Sequence, residues 1–307
     1  MVALLFPGQG SQYVGMGHDL AERFPAARAV FEEADAALGV PLSRVMWEGP
    51  EEELTRTHNA QPAILTHSVA VHRLVSERLD GVAFAAGHSL GEFSAYVAAG
   101  ALSFRDAVRT VRRRGELMQE CCDAHPGTMA AVIGLADEDV DRVCREASAQ
   151  DGQCAGANYN APGQIVISGA APAVERAMAL AKQAGARKVI PLKVAGAFHS
   201  PLMAGAEPGL AAQLDAIELG EPRFAVVANA TAEPVTDAGT ARRLLVTQLR
   251  APVRWTACMR TILSAGVTSF LELGPGSVLA GLMKRIERDA EVASIGTADE
   301  VEAFLSA

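Results

Sequence analysis

A glycine-flanked serine follows an apolar run of strand length and precedes a helical pattern. The run is 82–87, the serine is Ser89 within 87–91 (GHSLG), and apolar residues continue through 95–99. A strand-to-helix turn of this kind holds its serine clear of the backbone, and the glycines let strand and helix approach closely. We therefore predict that Ser89 is a nucleophile. The alternative is a structural turn that is merely rich in glycine.

The composition indicates a globular chain with a large core. Its 307 residues are 50% hydrophobic and 21% charged, which suits one large or two unequal domains. The apolar run at 1–8 has no basic leader and is too short for a signal sequence or a membrane span. We expect a cytoplasmic protein without a membrane partner.

Cysteine usage and net charge narrow the function further. The five cysteines are odd in number and contain no C-x-x-C pair, so we expect neither a disulfide framework nor a metal site. A net charge of −9 argues against nucleic acid as a partner. An acidic partner would require a local basic patch.

The first third of the chain alternates strands and helices. A short strand at 4–6 runs into the glycine-rich loop 7–12, and helical patterns at 18–38 and 60–79 precede the strand at 82–87. This order predicts an α/β fold with a parallel sheet covered on both faces. The loop contains Gln9 and is either a second functional loop or an ordinary capped turn.

One arginine lies on the apolar stripe of a charged helix predicted at 104–120. Ala107, Val111 and Met118 share a face of that helix, and Arg114 falls on the same face. An inward-facing arginine requires an anion. Periodicity leaves two possibilities open, a buried ion pair with a core carboxylate or a fork that binds a substrate carboxylate.

The pattern changes to β-α-β-β-α-β over residues 126–196, which is the ferredoxin-like arrangement. We predict a small subdomain of that type inserted into a large domain formed by 1–125 and 197–307. His199 lies where the chain re-enters the large domain, and clefts form preferentially at such junctions. A serine nucleophile needs a base. His88 directly precedes Ser89, and only His125 and His199 follow it in the chain.

Five motifs in one order resemble those of the malonyl-CoA:acyl-carrier-protein transacylases, over nearly the whole length. They are FPGQGSQ at 6–12, GHSLGE at 87–92, NYNAPGQ at 158–164, GAFHS at 196–200 and LGPG at 273–276. The resemblance implies an α/β-hydrolase-like large domain with a parallel-sheet core and an inserted ferredoxin-like subdomain. It also implies an acyltransferase that moves malonyl from coenzyme A to the phosphopantetheine thiol of an acyl carrier protein.

The resemblance assigns the chemistry to particular residues. Ser89 becomes the acyl-accepting nucleophile and His199 its base, with the imidazole oriented by the backbone carbonyl of Gln248. The backbone N–H groups of Gln9 and Leu90 become the oxyanion hole, because two donors must point at one developing charge.

Substrate contacts follow from the same resemblance. Arg114 pairs with the free carboxylate of malonate, Asn160 and Gln164 are polar positions of the site, and Leu90 with Phe198 favours malonyl over methylmalonyl. Transfer is ping-pong, and no cofactor is expected beyond the coenzyme A thioester. We expect the protein to act as a monomer.

Two other functions compete with this interpretation: an acyl hydrolase that clears carrier proteins, and a non-catalytic docking protein for them. The pathway, fatty acid or polyketide, stays open. Carrier proteins present an acidic helix, so a basic patch should receive them; the alternative is that these charges only solubilise the surface. The candidate clusters are Lys182, Arg187, Lys188 and Lys193, and Lys284, Arg285 and Arg288.

Overall fold

The computed structural model describes residues 1–307, apart from the side chains of residues 150 and 151. The strands are β1 Val2–Phe6, β2 Val82–Gly87, β3 Gly127–Ile133, β4 Cys154–Ala161, β5 Gln164–Ala170, β6 Lys188–Pro191, β7 Ala225–Val227, β8 Pro234–Val235, β9 Ser269–Leu273 and β10 Glu291–Ile295. The helices are α1 His18–Arg23, α2 Pro25–Leu38, α3 Leu42–Glu48, α4 Glu51–Thr55, α5 Thr57–Val75, α6 Gly91–Ala98, α7 Phe104–Ala124, α8 Asp137–Asp151, α9 Ala171–Gln183, α10 Glu207–Asp215, α11 Ala238–Thr247, α12 Trp255–Ser264, α13 Val278–Ile286 and α14 Ala298–Ser306.

The larger sheet has the strand order β10-β9-β1-β2-β7-β8, and all its pairs are parallel except β7 with β8. The central strand β1 is apolar throughout and its residues 3–6 are fully buried, as expected for a strand with helices on both faces. Phe6 at the end of β1 pairs with Gly87 at the end of β2. The loops that follow these strands therefore leave the sheet side by side.

The smaller sheet is antiparallel, with the order β4-β5-β3-β6. Its elements follow one another as β-α-β-β-α-β, with α8 and α9 packed on it, and they lie within the predicted 126–196. Met129 of β3 and Val166 of β5 do not pack with the rest of the small sheet but belong to the hydrophobic core of the large domain. The predicted fold class, a parallel-sheet domain with an inserted ferredoxin-like unit, is confirmed.

The single helix predicted over 18–38 is wrong. The structure has two helices, α1 and α2, separated at Phe24, whose backbone is extended (φ −124°, ψ 109°). Phe24 precedes Pro25, and the proline ring disfavours helical geometry in the residue before it. Pro25 itself begins α2, where its missing N–H costs nothing.

A buried carboxylate shapes the turn after β9. Glu272 is fully buried, and its two carboxylate oxygens accept hydrogen bonds from the N–H groups of Leu279 (3.0 Å) and Ala280 (2.9 Å). These N–H groups belong to the first turn of α13. The N–H groups at the start of a helix have no carbonyl acceptor within that helix. Glu272 thus supports the helix that follows the glycine-rich turn.

None of the helices, over the residues that the structure describes, combines the length and the apolar character that a membrane crossing requires.

The glycine after Leu90 is required by close packing, which can be tested. A Cβ atom on Gly91 would lie 2.3 Å from the carbonyl oxygen of Phe6, whereas one on Gly281 in α13 would meet no atom within 4 Å. We expect Gly91→Ala to lower the free energy of unfolding by about 1–3 kcal/mol through overpacking. Gly281→Ala should raise it by roughly 0.5–1 kcal/mol, because alanine favours the helix. Urea unfolding measures both, and equal effects would contradict the packing argument.

Candidate active site

Ser89 sits on a strained turn at the carboxyl end of β2. Its φ is +53°, a left-handed value that is uncommon for residues other than glycine. A Cβ atom on Gly87 would lie 1.9 Å from the carbonyl carbon of Gly91, so the two glycines permit the turn. Asn229 holds it in place, because its side chain accepts from the Ser89 N–H (2.8 Å) and donates to the Gly87 carbonyl (2.8 Å).

His199 contacts the nucleophile directly. Its Nε2 lies 2.7 Å from Ser89 Oγ, and its Nδ1 lies 2.9 Å from the backbone oxygen of Gln248. A carbonyl oxygen can only accept, so Nδ1 carries the proton and Nε2 is free to accept the Ser89 hydroxyl proton. Burial, followed by the nearby Arg114 charge, lowers the pKa of His199 to about 3. The imidazole is therefore neutral near pH 7, as a general base must be.

Arg114 reaches the same point from α7. Its side chain is buried, and its two terminal nitrogens donate to Gln61 Oε1 (2.7 Å), Gln248 Oε1 (2.9 Å) and Ser89 Oγ (3.2 Å). Burial lowers its pKa to about 10, so it remains charged near neutrality. Over the described side chains, no carboxylate oxygen lies within 4.0 Å of this guanidinium group. The ion pair that periodicity left open is therefore not formed.

The loop after β1 packs against the Ser89 turn. A Cβ atom on Gly8 would lie 2.4 Å from the His88 carbonyl oxygen, so a glycine is needed for the contact. The Gln9 side chain is held by the Thr57 hydroxyl, which donates to its Oε1 (3.1 Å). In the described part of the chain, the backbone N–H groups of Gln9 and Leu90 donate to no protein acceptor. Both are available to a ligand, and their role as an oxyanion hole stays a prediction.

A cavity of about 320 Å³ opens over Ser89 between the two domains. The large domain contributes Ser89, Phe198 and His199, whereas Met129 and Val166 come from the small sheet. An apolar wall with a few converging polar groups is typical of a ligand site. The predicted junction position of His199 thus coincides with the cleft.

Two polar residues of one motif lie in adjoining cavities, and Asn160 lines both of them. Asn160 lines the Ser89 cavity, and its Oδ1 lies 2.8 Å from His88 Nε2. Gln164 faces a neighbouring cavity of about 180 Å³ and accepts a hydrogen bond from Arg285. Its contact with the substrate stays a prediction, with the residue placed in the neighbouring cavity.

Sequence reasoning missed Gln61, Glu92 and Asn229. Gln61 stands in an apolar helix and Asn229 follows a strand, so a polar residue in an apolar context was the available signal. Glu92 belongs to the GHSLGE motif and is fully buried on the first turn of α6. Each of the three forms a hydrogen bond with a residue of the predicted site.

Comparison with known proteins identifies the class. The family model for the acyl transferase domain matches residues 3–302, which is nearly the whole chain. The protein is therefore an acyl transferase domain.

Individual relatives narrow the family. The malonyl CoA-acyl carrier protein transacylase of Bacillus subtilis is 46% identical over 98% of this chain and 95% of its own, and that of Escherichia coli K12 is 46% identical over 92% of each. A malonyl-transacylase solved with its type II polyketide synthase acyl-carrier protein is 43% identical over 99% of both chains, with a TM-score of 0.96. The chain belongs to the malonyl CoA-acyl carrier protein transacylase family, and the resemblance found in its motifs is confirmed.

The nucleophile can be tested with an uncharged serine reagent. We expect Ser89→Ala to abolish labelling by an alkyl fluorophosphonate, because, among the serines that the structure describes, Ser89 is the one whose Oγ hydrogen-bonds to a neutral imidazole. Ser94→Ala is a matched control, since Ser94 is also buried on the adjacent helix and should leave labelling intact. Intact-protein mass spectrometry measures the adduct. An adduct on the Ser89→Ala protein would exclude Ser89.

Proposed function

We propose that this protein transfers a malonyl group from coenzyme A to the phosphopantetheine thiol of an acyl carrier protein, through an ester on Ser89. The observation that carries the proposal is a buried guanidinium group, without a carboxylate partner among the described residues, 3.2 Å from Ser89 Oγ. A serine ester formed at that place brings a short acyl chain to Arg114. The names of the relatives support malonyl as that chain.

The first half-reaction uses the Ser89–His199 contact. As Ser89 Oγ attacks the thioester carbonyl, its proton passes to His199 Nε2, and the carbonyl oxygen becomes an oxyanion between the N–H groups of Gln9 and Leu90. The intermediate collapses by breaking the carbon–sulfur bond. His199 returns the proton to the departing sulfur, so free coenzyme A leaves as a thiol.

The second half-reaction runs in reverse with another thiol. The phosphopantetheine thiol gives its proton to His199 and attacks the Ser89 ester, and collapse returns the proton to Ser89 Oγ. The carrier protein leaves as the malonyl thioester, and the enzyme is restored. No electrons are exchanged, and these steps require no metal or redox cofactor.

Arg114 selects a substrate with a free carboxylate. Gln61 and Gln248 hold its guanidinium plane through neutral amides, so its charge is not neutralised by contact before substrate binds. A carboxylate placed there gains charge-assisted hydrogen bonds in a buried setting. The same anchor fixes the ester carbonyl between the two proposed oxyanion donors, which keeps the acyl group positioned for a thiol.

Basic residues border the cleft on two sides. Lys193 is exposed and lines the Ser89 cavity, while the exposed Arg285 on α13 contacts Gln164 beside the neighbouring cavity. We propose these as the rim that receives the acidic carrier protein. The protein would act as a monomer in the cytoplasm, and the five cysteines, all buried free thiols, accord with a reducing compartment.

Substrate selection by Arg114 is testable with two thioesters. Arg114→Ala should cost about 2–5 kcal/mol of transition-state stabilisation with malonyl-CoA, because a charge-assisted pair is lost. This corresponds to a fall in kcat/KM of several powers of ten. Acetyl-CoA, which has no carboxylate, should be affected far less. Arg109→Ala is the matched control on the same helix, because Arg109 donates to the Ala37 carbonyl away from the site. An equal fall for both thioesters would indicate a structural role and contradict the proposal.

Carrier docking can be separated from acylation by salt. If the rim charges steer the carrier protein, kcat/KM for it should fall between low and physiological ionic strength, where the Debye length shortens to about 8 Å. Charge reversal at Lys193 or Arg285 should mimic that fall while malonyl-CoA still acylates Ser89 at the wild-type rate. Reversal at Arg44, exposed on α3 away from the cleft, is the control. A carrier reaction indifferent to salt and to both reversals would exclude this surface.

A further inference from the structure

A fully buried carboxyl group lies in the first helical turn after the nucleophile. Glu92 occupies the first turn of α6, and one oxygen, Oε2, accepts from the backbone N–H of Asn229 (2.9 Å) and from Gln248 Nε2 (2.7 Å). The other oxygen, Oε1, has no hydrogen-bond partner among the described residues. A carboxyl group buried with an unpartnered oxygen is costly. The reaction steps above make no direct use of it.

One branch from Glu92 leads to Ser89. The carboxyl group fixes the backbone of Asn229, and the side chain of that residue joins the Ser89 N–H to the Gly87 carbonyl. The turn that Asn229 spans is the strained one, with Ser89 at a positive φ. Strain of this kind persists only when its surroundings over-determine it. Glu92 therefore helps to hold the nucleophile in place.

The second branch leads to His199 and Arg114 through a single glutamine. Gln248 Nε2 donates to Glu92 and to the Ser89 carbonyl (3.1 Å), which orients its Oε1 to accept from Arg114 (2.9 Å). The backbone oxygen of the same residue accepts from His199 Nδ1. Glu92 thus fixes Gln248 in two respects. The side-chain amide of Gln248 lies between Glu92 and the guanidinium group, and its backbone carbonyl orients His199.

Glu92 is also linked to the site by electrostatic interactions. Among the residues that the structure describes, three ionisable groups interact electrostatically with the Glu92 carboxyl: Arg114 from α7, Cys258 from α12 and Tyr96 from its own helix. Burial raises the pKa of Glu92 to about 7, against hydrogen bonds and the Arg114 charge, which lower it. Ionised Glu92 lies one amide away from Arg114 and leaves the guanidinium group open to substrate.

We propose that Glu92 is a positioning residue for this reaction. Through Asn229 and Gln248 it sets the geometry of Ser89, His199 and Arg114, and when ionised it balances the guanidinium charge in the unloaded enzyme. The inference rests on the proposed function only in taking Ser89 as the nucleophile. A carboxylate substrate is not needed to test it.

The test compares Glu92→Gln with Glu272→Gln. Glu272 is an equally buried carboxylate that accepts from backbone N–H groups, but it supports α13 instead of the active site. The readout is the rate at which a neutral alkyl fluorophosphonate labels Ser89, with circular dichroism and thermal unfolding as measures of folding. Glu92→Gln should label about 10²-fold more slowly than wild type while folded. Glu92→Ala, which leaves two donors without an acceptor, should label more slowly still. Glu272→Gln should label at the wild-type rate.

The pH dependence supplies a second readout. Wild-type labelling should fall as the pH is lowered through about 7, because protonation of Glu92 leaves the Arg114 charge unbalanced and weakens His199 as a base. Glu92→Gln cannot ionise and should show no step in this range. If Glu92→Gln does not fold, the wild-type profile decides alone, and a flat profile overturns the proposal.

Besides a flat wild-type pH profile, three results would overturn the inference: labelling of folded Glu92→Gln within twofold of wild type, equal slowing in Glu92→Gln and Glu272→Gln, or a pH step that survives in Glu92→Gln. Failure of the proposed function looks different. If Ser89 is not the nucleophile, the reagent does not label it in the wild type, whatever the glutamate variants do; if Ser89 is the nucleophile but the reaction is not malonyl transfer, the variants behave as described and only transfer to the carrier protein fails.

Discussion

The parallel pairing of β1 with β2 is the constraint on which the site depends. It places Phe6 opposite Gly87, so the Gln9 loop and the Ser89 turn leave the sheet at adjacent positions. Glycines at 8, 87 and 91 let the two loops touch, since a side chain at any of them would collide with the backbone of the other loop or of the turn. The two proposed oxyanion donors come from these loops.

A second constraint is the way in which Arg114 is held. A buried carboxylate in direct contact would stabilise the guanidinium group but would also occupy the substrate's place. The structure uses the side-chain amides of Gln61 and Gln248 instead, with the Glu92 carboxyl one residue further away. Removing a charge from water is costly without a full partner. The arrangement sacrifices some stability to keep the cation available to an anion, which is expected where function requires it.

Features formed by residues that are close together in the chain could be predicted from sequence patterns. The Ser89 turn and the ferredoxin-like unit are each contiguous in the chain, and periodicity with glycine positions was sufficient to predict them. The break at Phe24 is also local, but it comes from the effect of Pro25 on the residue before it, which apolar periodicity does not reveal. The motifs that resemble the family named the residues of the site, which periodicity alone could not choose among.

What could not be predicted depends on contacts across the fold. Asn229 lies 140 residues beyond Ser89 in the chain, and it meets Ser89 because β7 pairs with β2. The placement of Gln164 outside the Ser89 cavity depends on the direction of its side chain, which the motif does not encode. Whether Arg114 faced a carboxylate or an amide likewise required the packing of α5 against α7.

Transfer through Ser89 is the central claim, and a two-step mass measurement tests it most directly. The protein is mixed with malonyl-CoA, freed of excess thioester and digested, and the remainder is chased with a phosphopantetheine-loaded carrier protein. We expect one malonyl group per chain on the peptide that contains Ser89, and its passage to the carrier at least as fast as steady-state turnover. An adduct on another residue, or release of the group as free malonate in the presence of the carrier, would contradict it.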